Sequence, residues 1–358
     1  MITELTIDGF KGFEHLEVPR LSRITLLGGR NNVGKTSILE ALFMFHDRYN
    51  PQMILRQFAG RGVGTIPFDP ESMWAPIFFD YDLHKKIFIG ATVNNNKEQM
   101  TIEFKPNFVP ATIPGITGRP GVRPTQIRTD QQPASSNSLE IVYDSQKLKN
   151  QVAHLLMGIN GLSMYIDHAT IESRRVVFLG ARIPINPSED AERLGQLDIH
   201  GKQEKVVEVL GIIEPDLKSL SSVAIGNSSL IHGDIGLSRK IPVAYMGDGV
   251  SRLLSIILAI ATSKNGIVII DEFENGIHYS AMPKVWEAVA RAAREYDCQL
   301  IGTTHSYECL EAAYKGISDD LRNDFSYIRL DRTDNKTTAK CFDYESLKVA
   351  IVTNMEVR

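Results

Sequence analysis

The sequence predicts an α/β fold: a mixed, mainly parallel sheet flanked by helices, with a β-rich lobe and a helical insertion. Three observations carry that reading. An apolar strand, RITLLGG, runs straight into glycines and is followed by a helical stretch, KTSILEALFMF. Far downstream, helix (VSRLLSIILAIAT), apolar strand (GIVIID), helix (SAMPKVWEAVARAAREY) and strand (CQLIGTTH) alternate. Strands that are apolar throughout are buried on both faces, which calls for a parallel sheet covered by helices on each side. Between these two parts the pattern changes, first to period-two alternation and then to helical spacing.

In chain order, Ile2, Leu5 and Ile7 alternate as a strand, and residues 16–18 read as its hairpin partner. The apolar strand and helix of residues 23–45 follow. Residues 60–76 read as irregular. IFIGATV and QMTIEFKP form a hairpin around the asparagines 94–96. Residues 106–138, rich in Pro, Gly, Thr, Ser and Gln, read as a long surface loop. Residues 139–180 read as strands and short helical pieces. Residues 188–220 are mainly helical, with Val206, Val209, Leu210 and Ile213 at helical spacing, and short strands run on to Ile241. No internal repeat is present, and no heptad run is long enough for a coiled-coil arm.

Composition narrows the function classes. With 39 Lys+Arg against 43 Asp+Glu the net charge is −4, so nucleic-acid binding would need a local patch. Cys298, Cys309 and Cys341 lack paired metal spacing, and an odd number argues against a disulfide framework. The first residues lack a signal-peptide layout, and the apolar run at 253–261 is too short to span a bilayer. The expected setting is the cytoplasm, with no membrane contact.

The strongest motif is Gly29-Arg30-Asn31-Asn32-Val33-Gly34-Lys35-Thr36, a full phosphate-loop pattern between a strand and a helix. Its backbone N–H groups, together with the helix start at Ser37, would cradle the phosphates of ATP. Lys35 would neutralise the β- and γ-phosphates, and the Thr36 hydroxyl would ligate Mg2+. The strand GIVIID then ends in Asp271-Glu272, placing two carboxylates at a sheet edge where ligands bind. Asp271 is the expected second Mg2+ ligand and Glu272 the general base for the attacking water. The next strand ends at His305, which would lie beside the γ-phosphate. Gly247-Asp248-Gly249 opens an apolar helix and reads either as a second anion-binding nest or as a plain turn.

The order of these features resembles the ABC-type ATPase heads of the SMC, RecF and OLD families, and most of all the ATPase domain of OLD-like proteins. LTIDGFKGFEHLEV resembles their opening strand pair, GGRNNVGKTSILEAL their phosphate loop, and IIDEFENGIH their Walker B strand and following turn. FSYIRLDRTDNKTTAKCFDYESLKVAI with the closing EVR resembles their last strands and helix. The resemblance implies one composite ATPase domain over residues 1–358. Its P-loop core would comprise residues 1–48 and 240–330, its β-rich and helical lobes 49–239, and its final strands and helix 325–358.

The resemblance further implies a head-to-tail dimer with two ATP molecules between the copies. Gly247, Asp248 and Gly249 would then be the signature loop that caps the partner's γ-phosphate. Gly247 stands where that loop's serine is expected, so only backbone amides and the helix dipole remain there. Lys11 falls where related heads contact the nucleotide base, or is a surface lysine. Gln57 and Gln99 are both candidates for the Q-loop. On this resemblance the chain is expected to lack the TOPRIM nuclease domain and the coiled-coil arms of some relatives. The resemblance therefore implies a separate nuclease or TOPRIM-like effector, as in PARIS and Septu anti-phage systems, with DNA or a phage product as trigger.

The remaining polar features keep two readings each. Arg119, Arg123 and Arg128 suit a solvated loop or a DNA or acidic-partner contact. Arg174-Arg175 and Arg239-Lys240 are basic pairs or edge-strand protection. His232 and Asp234 lack a third metal ligand at usable spacing. Trp74 and Trp286 are read as packing residues.

Overall fold

The structure, a computed structural model, describes residues 1–50, 54, 67–109, 136–158, 161–166, 174–181, 186–226, 228–334 and 336–353. Arg119, Arg123, Arg128 and Gln57 lie outside the described residues. The chain opens with β1 (Ile2–Phe10), β2 (Phe13–Val18), β3 (Ile24–Gly29) and α1 (Lys35–His46). A short α2 (Pro70–Met73) precedes β4 (Ile87–Val93), β5 (Asn96–Phe108), β6 (Ser136–Asp144), β7 (Gln151–Gly158), β8 (Gly161–Ile166) and β9 (Val176–Leu179). Then come α3 (Pro187–Ile199), α4 (Gln203–Leu210), β10 (Ser219–Ile225), β11 (Ser228–Asp234) and β12 (Ile241–Pro242). The last part is α5 (Asp248–Thr262), β13 (Ile267–Ile270), α6 (Met282–Glu295), β14 (Gln299–Thr303), α7 (Tyr307–Gly316), β15 (Phe325–Thr333), β16 (Lys336–Asp343) and α8 (Tyr344–Val352).

Among the described residues these strands form three sheets. The core sheet runs β16-β15-β3-β14-β13-β9 and is parallel except for the edge strand β16. An antiparallel sheet runs β2-β1-β4-β5-β6-β7-β8, and β10-β11-β12 form a small third sheet. The expected α/β class with a mixed, mainly parallel sheet is present.

Alternation along the core strands explains the layering. Val268 and Ile270 of β13 join the cluster formed with the helices α3 to α8, whereas Ile267 and Ile269 face α1 and the antiparallel sheet. Helix α1 is apolar on nearly every side, and residues Ile38 to Phe45 are buried. A helix of that kind has to be covered all round, and it lies between the two sheets. Trp74 and Trp286 are fully buried, Trp286 stacking on Phe273 at 3.9 Å. No helix among the described residues is long and apolar enough to cross a membrane.

Several elements fall elsewhere than the sequence suggests. β1 and β2, expected in the P-loop core, belong to the antiparallel sheet. β9, from the stretch expected to supply only lobes, is the edge strand of the core sheet beside β13. The final strands pair into the same sheet, β15 directly on β3. Residues 106–108 and 136–138, read as loop, are strand ends of β5 and β6, while residues 110–135 lie outside the described residues. In 139–180 the described elements are all strands. The hairpin turn is Asn94-Asn95, both at positive φ, with Val93 paired to Asn96.

The two main sheets are joined by a side chain. Gln299, buried at the start of β14, accepts from the Ile2 N–H at 2.8 Å and donates to the Ile2 carbonyl at 2.7 Å and the Ser22 carbonyl at 3.0 Å. It supplies the pairing that a neighbouring strand would otherwise give to the first residues of β1.

Candidate active site

β3 ends at Gly29 and α1 begins at Lys35, so the loop between them closes over the helix N-terminus. Gly34 sits at φ 102°, and a Cβ there would lie 2.4 Å from the Phe13 ring. Only glycine lets the loop turn this tightly against the β1–β2 hairpin. Helix α1 has no side-chain cap, so its first-turn amides at Lys35, Thr36 and Ser37 are available to an anion. Lys35 is buried, and its ammonium donates to the Gly29 carbonyl at 2.6 Å and the Arg30 carbonyl at 2.9 Å. Burial pushes its pKa down, opposed by the carboxylates of Asp271, Glu274 and Glu272. Arg30, Asn31 and Asn32 form the exposed rim of the loop, and Asn32 has φ 63°.

Strands β13 and β14 are adjacent and in register, Ile270 beside Gly302, so the residues after them meet. Asp271 receives the Thr36 hydroxyl at 3.3 and 3.4 Å and the Thr303 hydroxyl at 2.7 Å. Burial raises the Asp271 pKa; the Thr303 bond opposes this and the neighbouring Glu272 adds to it. Thr303 also accepts the Glu272 N–H at 2.9 Å. Glu272 itself stands at φ 51°, a strained setting for a non-glycine residue. One of its oxygens accepts from Asn275 at 2.9 Å and the other lies 3.9 Å from His305 Nε2. The His305 N–H donates to Glu274 at 2.8 Å.

These groups line one cleft of about 1760 Å³, together with Lys11, Gly12, Phe79 and Tyr81. Thr36 and Asp271 offer hard oxygen donors of the kind that would suit Mg2+. No cluster of three or more His, Cys, Asp or Glu metal ligands occurs among the described residues.

Lys11 is not a freely solvated lysine. Its ammonium pairs with the buried Glu40 of α1 at 2.5 Å, and the side chain is 12% exposed in the cleft wall. Gly247 and Asp248 are exposed at the start of α5, and neither they nor Gly249 line the cleft. Gly249 packs so closely on the turn after β13 that a Cβ would lie 2.8 Å from the Gly276 carbonyl oxygen. Gln99 lies on β5, where it donates to Asp144 at 3.3 Å, and is not part of the cleft lining.

Of the basic pairs, Arg174 makes a two-pronged ion pair with buried Glu98, and Arg175 donates to the Thr262 carbonyl at 2.6 Å. Both pin the entry to β9, so neither forms a free basic patch. Lys240 donates to Ser221 at 2.7 Å across the small sheet. Asp234 accepts the Gly236 N–H in a turn, and His232 approaches only the Leu230 carbonyl, at 3.4 Å.

Sequence reasoning missed Thr303, Glu274, Asn275 and Arg252. Arg252 is buried on α5 and donates to the carbonyls of Asp271 at 3.0 Å and Glu272 at 3.4 Å. A lone arginine within an otherwise apolar helix is the signal that marks it. Thr303 carries the signal of a hydroxyl at the end of the strand beside the Asp-Glu strand.

A family model described as "AAA domain, putative AbiEii toxin, Type IV TA system" matches residues 24–311, from β3 through His305 and into α7. A Helicobacter pylori protein named "ATP/GTP phosphatase" is 21% identical over 328 residues, covering 87% of each chain. Among solved structures, an SMC head bound to the C-winged helix domain of ScpA aligns at a TM-score of 0.53 over 97% of this chain and 99% of that one. At 12% identity that likeness is one of fold. The chain thus belongs to the AAA domain family of the AbiEii type, an ATPase family, and carries its P-loop site on an SMC-head-like fold.

Proposed function

We propose that this protein is a cytoplasmic ATP-hydrolysing switch that closes head-to-tail on a second copy around two Mg-ATP. In this reading it governs a separate nuclease or TOPRIM-like effector in a bacterial anti-phage system of the PARIS or Septu kind. The whole composite domain acts as one ATPase unit. The observation that carries the proposal is the division of the machinery between two places. Lys35, Thr36, Asp271, Glu272 and His305 converge on one cleft, whereas the helix start at Gly247-Asp248-Gly249, with Gly247 and Asp248 exposed, lies outside its lining. In this reading a second copy brings that helix start to the phosphates. The matching family is described as a putative AbiEii toxin of a Type IV TA system, and a toxin of that kind is paired with a second protein.

In this reading Lys35 counters the charge of the β- and γ-phosphates, and the first-turn amides of α1 bind their oxygens. Thr36 and Asp271 would hold Mg2+, which would supply positive charge to the phosphate oxygens. Glu272 takes a proton from water as the water oxygen bonds to the γ-phosphorus and the bond to the β,γ-bridging oxygen breaks. His305 orients the same water or the γ-phosphate from the other side.

Multiple-turnover hydrolysis, with mass in solution recorded with and without Mg-ATP, tests this. Wild-type turnover is expected to be lost in Lys35→Ala and in Glu272→Gln, and Glu272→Gln is expected to accumulate as ATP-stabilised dimers. Normal turnover in Glu272→Gln would sink the proposal. Gly247, which offers no hydroxyl to the γ-phosphate, favours a second reading: an ATP-dependent scaffold with little turnover. Nucleotide-dependent assembly without hydrolysis would select it. A RecF-like DNA clamp draws little support from the near-balanced charge of −4 and from Arg174, which is paired with buried Glu98. Salt-sensitive, ATP-dependent DNA binding would revive it.

A further inference from the structure

We propose that Glu274 and Asn275 are positioning residues that set the Glu272–His305 pair, an inference that rests on the ATPase reading above. After β13 the chain turns sharply through Glu272, at φ 51°. The turn is closed by Asn275 N–H to the Glu272 carbonyl at 3.2 Å and Ile277 N–H to the Glu274 carbonyl at 3.1 Å. Two side chains of this turn then reach back to the groups that face the cleft.

Glu274 accepts the backbone N–H of His305 at 2.8 Å. Beyond the end of β14 no main-chain partner for that N–H occurs among the described residues, so the carboxylate continues the inter-strand pairing by one more residue and fixes where the histidine leaves the sheet. Asn275 donates to one Glu272 oxygen at 2.9 Å and leaves the other facing His305 Nε2 at 3.9 Å. Both bonds originate in the same short turn, so the base and the histidine are referenced to one piece of backbone. Catalytic groups must be held to within about 0.5 Å of their working geometry, and supporting residues of this kind are worth about 10- to 100-fold in activity.

Glu274 also lies near enough to Lys35 for its charge to raise the lysine pKa, so a purely electrostatic role has to be separated from a positioning role. Glu274→Gln does this, because the amide oxygen keeps the acceptor for the His305 N–H while the charge is removed.

The experiment compares kcat, KM and thermal unfolding for wild type, Lys35→Ala, Glu274→Ala, Glu274→Gln and Asn275→Ala. Glu274→Ala and Asn275→Ala are expected to lose about 10- to 100-fold in kcat with KM near the wild-type value, and Glu274→Gln to recover most of the loss. Wild-type kcat in Glu274→Ala, or a Gln variant as slow as the Ala variant, would overturn the inference. If Glu274→Ala does not fold, Asn275→Ala decides alone: wild-type kcat there also overturns it. Active wild type beside inactive Lys35→Ala, with the turn variants unchanged, rejects this inference and leaves the ATPase reading standing. A wild type without turnover rejects both.

Discussion

Replacing Gln299 with Ala should loosen the joint between the two main sheets without touching the cleft. The side chain is 4% exposed and makes three bonds to backbone, two of them to the N–H and carbonyl of Ile2, which is 1% exposed. The third acceptor, the Ser22 carbonyl, keeps the Thr25 hydroxyl at 3.2 Å. Two buried backbone groups are therefore left unpaired, at about 1–3 kcal/mol each. Water entering the vacated space would satisfy part of that need, so about 3 kcal/mol is the expected net loss. In a chain of 358 residues that lowers the thermal midpoint by about 4 °C. Differential scanning fluorimetry and urea unfolding at neutral pH measure it, with kcat for ATP at low temperature as the control. Gln299→Glu should be no better, since it keeps one acceptor but loses both donors and buries a charge. An Ala variant with an unchanged urea midpoint and slope would refute the idea that this side chain stands in for a strand.

Two further outcomes follow from the site and its surroundings. His46 is buried at the end of α1, and burial lowers its pKa to about 4 from an ordinary value near 6.5. The unfolded chain binds that proton more readily, so the stability is complete above pH 6.5 and is lost as the pH falls toward 4. The loss is about 3 kcal/mol, and His46→Phe should remove this part of the acid limb when urea midpoints are compared from pH 7 to pH 4. Gly34→Ala places a methyl group against the Phe13 ring at a strained φ. It should weaken ATP binding by about 10- to 100-fold in titration calorimetry, and wild-type affinity would contradict the loop geometry.

The phosphate loop, the Asp271-Glu272 strand end and the His305 strand end were legible because each depends on a short run of neighbours: apolar strand, then the residue that leaves the sheet. The same local logic found α1, α5, α6 and the Asn94-Asn95 hairpin. Lys11 was legible as a position but not as a member of a pair, since its partner Glu40 comes from another element. Thr303, Glu274 and Asn275 were passed over for the same reason. Each is an ordinary residue type whose meaning comes from the atom it reaches.

By itself the sequence determined the local backbone devices, because glycine conformations, strand periodicity and helix starts are set by residues a few positions apart. Only the tertiary structure decided that β1 and β2 leave the core sheet, that β9 closes its edge, and that the Gly247 helix start stands outside the cleft of its own chain. Those outcomes follow from which apolar faces cover one another and which buried backbone groups find partners. The Ile2–Gln299 contact, 297 residues apart in sequence, is such a partnership, and no local pattern encodes it.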